Sequence, residues 1–165
     1  MPFSLYDITV PVFIRDLNIL QNILKRGVEH ASTSSSSEKT ILESRLIADM
    51  EAFPYQIQRL SDCVKGLCVR MGGVAPQAWA DEEKTLAELQ ERVKKTIELL
   101  ETVDPKSMDG KEDLEIVIGP YTFTGTTYVQ QFVIPNFYFH HVMTYALLRK
   151  EGVQIGKRNY LGHVV

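Results

Sequence analysis

Apolar residues recur every three or four positions over most of the chain. Ile8, Val12, Phe13, Leu17, Leu20 and Leu24 make a stripe that predicts an amphipathic helix over residues 4–30, because a 3.6-residue turn brings such positions onto one face. A second seam, Leu42, Leu46, Met50, Phe53, Ile57, Leu60, Val64, Leu67 and Met71, predicts one kinked helix or two over 39–71, stopped by Gly72 and Gly73. Leu86, Leu89, Val93, Ile97 and Leu100 predict a third over 82–103, with Glu88–Arg92 and Glu91–Lys95 as i,i+4 pairs on a solvated face. Val129, Phe132, Val133, Phe139, Met143 and Leu147 predict a fourth over 126–150. Before it the period drops to two. Leu114, Ile116 and Ile118, then Tyr121 and Phe123, flank Gly119 and Pro120 and predict a hairpin between residues 113 and 124. The serine run at 32–37 reads as a linker in which Ser35 and Glu38 cap the next helix, and residues 153–165 read as an ordered strap or loop.

Four apolar helical faces can be satisfied only by one another, so the expected fold is an all-α four-helix bundle with a small β-hairpin before the last helix. A length of 165 residues, with 44% hydrophobic and 24% charged, fits one domain over 1–165. Eighteen basic against 21 acidic residues give a net charge of -3, which provides no basic stripe for nucleic acid. The first twenty residues lack a basic leader, and their longest apolar stretch, 8–14, is too short to cross a bilayer; a soluble protein of the cytoplasm is expected, with no membrane partner. Cys63 and Cys68, five apart on a helix, point about 140° away from each other. They read as buried thiols in a reducing compartment.

Polar residues interrupt the predicted core at three positions. Asp49 falls in the second seam beside Met50, while Asn136 and His140, one turn apart, continue the fourth stripe towards Met143 and Leu147. Buried polar groups need partners. Carboxylate, amide and imidazole on facing helices form a partial ligand set for a divalent metal such as Zn, Ni, Mn or Fe, with Asp49 and His140 as its metal ligands, or a pocket for a small molecule. The other reading is a core histidine satisfied by a neighbouring acid. His141, about 100° further round the helix, reads as an aromatic-edge packing residue, and His30 and His163 as solvated or capping groups near segment ends. Pro11, Pro54 and Pro135 predict kinks, with a helix start at Pro54 as the alternative. Lys157 and Arg158 read as solvated or anion-binding. Phosphate loops, zinc-type Cys/His clusters and nucleophile elbows are lacking, and nothing indicates a substrate.

Four phrases together carry a family likeness: Leu5-Tyr6-Asp7-Ile8-Thr9-Val10-Pro11-Val12-Phe13, Arg45-Leu46-Ile47-Ala48-Asp49-Met50, Pro135-Asn136-Phe137-Tyr138-Phe139-His140, and Gly156-Lys157-Arg158-Asn159-Tyr160-Leu161-Gly162. The chain resembles an uncharacterised family, a domain of unknown function, within the DinB/YfiT-like superfamily. That resemblance implies an up-down-down-up four-helix bundle, often a homodimer. Better-known branches bind a divalent metal through one histidine on the second helix and an H-x-x-x-H pair on the fourth, and some are thiol-dependent transferases. Asp49, Asn136 and His140 stand at those places, so one of three histidines remains. Two functions are therefore expected: an uncharacterised protein whose polar core pocket, lined by Asp49, Asn136 and His140, takes a divalent metal or small ligand, or a non-catalytic helical scaffold or dimeric binding module with a satisfied polar core.

Overall fold

The structure is a computed structural model that describes residues 4–33 and 37–163. Its main helices are α1 (Val10–Thr33), α3 (Phe53–Arg70), α4 (Leu86–Glu101) and α6 (Ile134–Lys150). Shorter pieces are α2 (Glu38–Glu43), the strands β1 (Ile116–Ile118) and β2 (Tyr121–Phe123), the helical turn α5 (Gly125–Thr127), a π-helical segment over Tyr128–Val133, and α7 (Lys157–Tyr160) in the tail. The expected mostly helical fold with one hairpin is what forms.

Side-chain contacts give the directions of the four main helices. Gln21 bonds the carbonyl of Gln90 and Thr9 lies against Met108, so α1 and α4 run antiparallel. Cys63 bonds the carbonyl of Val133 and Gln56 bonds His140, so α3 and α6 also run antiparallel. Phe13 stacks on Phe137 at 4.0 Å, and Gly27 meets Leu148, which makes α1 and α6 parallel. Ser61 bonds Arg92 and Gly72 meets Val103, which makes α3 and α4 parallel. The result is an up-down-down-up bundle. Two parallel neighbours in sequence need a connection that returns along the whole bundle. Residues 71–85 supply it: fifteen residues reach about 50 Å, enough to pass an 18-residue helix about 27 Å long.

The core is continuous from Leu5 to Ile155 and includes Phe13, Phe53, Tyr128 and Phe137, all fully buried. Burying each large apolar side chain contributes roughly 1.5–3 kcal/mol, so this cluster is the main source of stability. The hairpin pairs Ile116 with Phe123 and Ile118 with Tyr121. Gly125 follows it for a steric reason: a Cβ there would stand 1.9 Å from the carbonyl oxygen of Lys111.

Of the two readings of the second seam, one kinked helix or two helices, the second holds. The chain leaves α2 at Ser44, crosses an irregular loop, and restarts at Phe53, so Leu46 and Ile47 are exposed. Pro54 is the cause: as the second residue of α3 it lacks an N–H and would clash with the carbonyl of Met50 in a continuous helix. Pro11 is likewise the second residue of its helix, whereas Pro135, although second in α6, lies inside the helical run that is continuous from Gly125 to Lys150 and distorts it, as expected of an interior proline. The serine run is shorter than expected as a linker, since α1 continues through Gly27 to Thr33. Ser37 caps α2 by accepting from the amide of Thr40; the capping role assigned to Ser35 falls outside the described residues.

The approach to α6 is π-helical because Pro135 cannot donate to the carbonyl of Gln131. The ladder widens, and the amide of Ile134 reaches back five residues to Val129. One residue is thereby absorbed, and the buried face of α6 rotates relative to the expected stripe. Phe139 faces solvent, 52% exposed, while Phe137, His141, Thr144 and Leu148 are buried.

Candidate functional site

His140 lies on α6 where that helix crosses α3, and it is buried. Its Nδ1 pairs with Oε1 of Gln56 at 2.9 Å, so the ring is the Nδ1–H donor; Gln56 in turn donates from Nε2 to the carbonyl of Glu51. Thr144 donates to the carbonyl of His140, closing the turn below. Tyr55 and Phe139 set their rings edge-on at 6.1 and 5.1 Å. Burial, with the nearby Arg59 guanidinium as a smaller contribution, pushes the imidazole down to about 4, so it is neutral at physiological pH. Asn136 stands one turn earlier and is half-buried, and the Cys63 thiol nearby donates to the carbonyl of Val133 at 3.4 Å. Burial drives that thiol up to about 12, and Cys68 likewise, so both are free thiols without thiolate character.

Asp49 is not in this layer. It is exposed in the loop before α3, two residues ahead of the carbonyl that Gln56 engages, because the helix expected to bury it is interrupted by Pro54. The acid anticipated as the partner of His140 is replaced by an amide. Asn136 and His140 are brought to one face of α6, as expected; Asp49 is not brought to them as a buried group.

A divalent metal therefore does not fit these residues. Donation from Nδ1 leaves Nε2 of His140 as the one ring nitrogen able to ligate, but Asp49 lies outside the layer and no three His, Cys, Asp or Glu side chains converge among the described residues.

Two polar clusters went unpredicted. Arg92 is 4% exposed and donates to Ser61 Oγ, to the carbonyl of Ala80 and to Glu83, while its second terminal nitrogen is 2.9 Å from Asp81. It is therefore a buried cation and not the solvated partner of Glu88, which instead closes a capping box with Thr85. Burial alone would raise Glu83, but hydrogen bonds from Arg92 and Gln58 bring it below its ordinary range. The signal was available: Arg92 follows Leu89 by three residues and adjoins Val93. The second cluster centres on Asp16, which accepts from Tyr138 and Arg15 at 2.7 and 2.6 Å, while its carbonyl pairs with His141. His141 also stacks on Phe137 and meets Tyr160 edge-on, which is the packing role expected of it. Burial lowers its affinity for a proton. His30 joins α1 to the end of α6 through the carbonyl of Glu151, and His163 is exposed.

Surface clefts lie elsewhere. One of about 960 Å³ runs between Trp79 and the outer face of α4, and another of about 330 Å³ lies between α1 and the tail; neither is lined by Asp49, Asn136 or His140.

Residues 5–161 match the family described as a domain of unknown function, DUF1993. The chain belongs to that family. Its structure superposes, with a TM-score of 0.91, on the crystal structure of a DinB family member from Shewanella denitrificans, which is 31% identical; the alignment covers 97% of this chain and 93% of that one. Among curated proteins no relative matches the chain. This DUF1993 protein is thus a DinB-like bundle in which an imidazole–amide pair occupies the α3–α6 layer. No helix among the described residues is long and apolar enough to cross a membrane.

Proposed function

We propose that this protein is a non-catalytic helical binding module whose polar core is structurally satisfied, rather than a holder of a divalent metal or small ligand at Asp49, Asn136 and His140. The observation that carries the reading is the hydrogen bond of His140 Nδ1 to Gln56, itself tied to the carbonyl of Glu51. The hydrogen-bonded run Glu51–Gln56–His140 ties α3 to α6 through neutral groups, and a ring so hard to protonate, beside thiols held in their neutral form, leaves no base or nucleophile of suitable pKa in the layer. The homodimer belongs to the same reading. Tyr55, Phe139 and Val142 are 38, 52 and 44% exposed on α3 and α6 beside His140, and a second copy would take them out of water.

Thermal melts with and without Zn, Ni or Mn test the core reading. Equal melting temperatures for the wild type with and without metal are expected. A rise in the wild type that His140→Ala abolishes would overturn it, since binding to the native state alone adds about 2.7 kcal/mol at 100-fold excess over the dissociation constant. Sedimentation velocity tests the dimer: a dimeric wild type and a monomeric, folded Phe139→Glu are expected, and a monomeric wild type removes that part of the proposal.

A further inference from the structure

The outer face of α1 carries a feature that the core chemistry leaves unused. Ile19, Asn22, Ile23 and Arg26 follow one another at helical spacing along a cleft of about 330 Å³, whose opposite wall is Asn159 and Gly162 of the tail. That wall is held in place. Arg15 donates to the carbonyl of Leu161 at 2.7 Å, Tyr160 packs on His141, and Asn159 Oδ1 accepts from the amide of Gly156. Gly162, at φ +74°, lies so near α1 that a Cβ would stand 2.6 Å from Ile19 Cδ1.

The donors along this cleft exceed the acceptors. Lys25 and Arg26 are exposed on it, and among the described residues neither forms an ion pair. Asn159, with its oxygen committed to the tail, presents its amide N–H groups. Glu29 is the one carboxylate among the lining residues, so two cations against one acid leave a single positive charge. A singly charged head group matches that balance better than a doubly charged phosphate, and an Arg fork suits a carboxylate's two oxygens. Ile19 and Ile23 supply an apolar floor, and the volume is at the small end of the range for small-molecule sites.

We propose that the cleft between α1 and the tail binds a small organic carboxylate, with its head group at Lys25 and Arg26 and its apolar body on Ile19 and Ile23. The site is separate from the His140 layer and does not depend on the function proposed for that layer.

Titration of the full chain with benzoate, followed by amide NMR, is the test. Saturable shifts centred on Asn22, Arg26 and Gly162 are expected, and benzyl alcohol, which lacks the charge, should produce none. Lys25→Gln combined with Arg26→Gln changes two exposed side chains, so the fold is retained; it should weaken benzoate at least tenfold, whereas Lys94→Gln with Lys95→Gln on α4 should leave its affinity unchanged. Three results overturn the proposal: non-saturating shifts scattered over the surface lysines, equal affinity in the Lys25/Arg26 variant, or tighter binding of phenyl phosphate than of benzoate.

Discussion

Helix α3 meets polar chemistry on two sides and the solutions are opposite. Against α6 it buries an imidazole, which loses its charge and settles into a chain of neutral hydrogen bonds with Gln56. Against α4 it buries Arg92, which cannot lose its charge and is instead surrounded by Glu83, Asp81 and, at 3.6 Å, Asp62. The difference follows from intrinsic basicity. Histidine deprotonates at small cost near neutrality, whereas a guanidinium keeps its charge and must carry its counter-ions inward. The Arg92 cluster also anchors the long return connection through Ala80, Asp81 and Glu83, and Trp79 lies within 4.8 Å of Lys65 and 4.3 Å of Lys95. One layer thus sets helix packing; the other ties a loop to the bundle.

The two layers should respond differently to mutation, and the largest effect is expected at the charged one. Arg92→Ala leaves Glu83 and Asp81 without their cation and should cost about 3–5 kcal/mol in urea unfolding. Adding Glu83→Gln should recover part of that loss, and no recovery would mean that the two do not act as a pair. Next comes pH. The native His140 ring stays neutral down to about 4, whereas in the unfolded chain it takes up a proton near 6.5. Stability is therefore complete above pH 6.5 and is lost as pH falls towards 4, by about 3 kcal/mol from this group. His140→Gln should remove that part of the decline, seen as a shallower difference curve between pH 6.5 and 4.5; parallel curves would show that the imidazole is not buried neutral.

Smaller effects complete the comparison. Gln56→Ala strands the Nδ1–H of His140 and should cost about 1–3 kcal/mol, read from the urea midpoint at pH 7. At the low end, Glu43→Gln removes the exposed i,i+4 pair with Lys39 on α2, and a change above about 0.5 kcal/mol would contradict the weak value of solvated pairs.

Much of the fold was legible residue by residue. The stripes through Leu17, Leu60, Val93 and Leu147 mark the four main helices, and the alternation around Gly119-Pro120 marks the hairpin. The candidate site was legible only in part. His140 was recognised as buried and in need of a partner, but the partner was misassigned. Asp49 satisfied the helical period, yet Pro54 had already forbidden the helix that would carry it inward. Gln56, which takes its place, is polar and uncharged and lies beside Ile57 without disturbing the apolar pattern.

What the sequence determined by itself is therefore the set of elements and the single core, because periodicity and turn residues act over a few neighbouring positions. The tertiary structure alone decided which polar groups meet. The π-helical segment before Pro135 rotates α6, exposing Phe139 and burying His141, and the return loop beside the parallel α3 and α4 brings Asp81 and Glu83 to Arg92. Such pairings depend on helix phase and direction, which depend on how all four apolar faces close at once, and no local spacing encodes that.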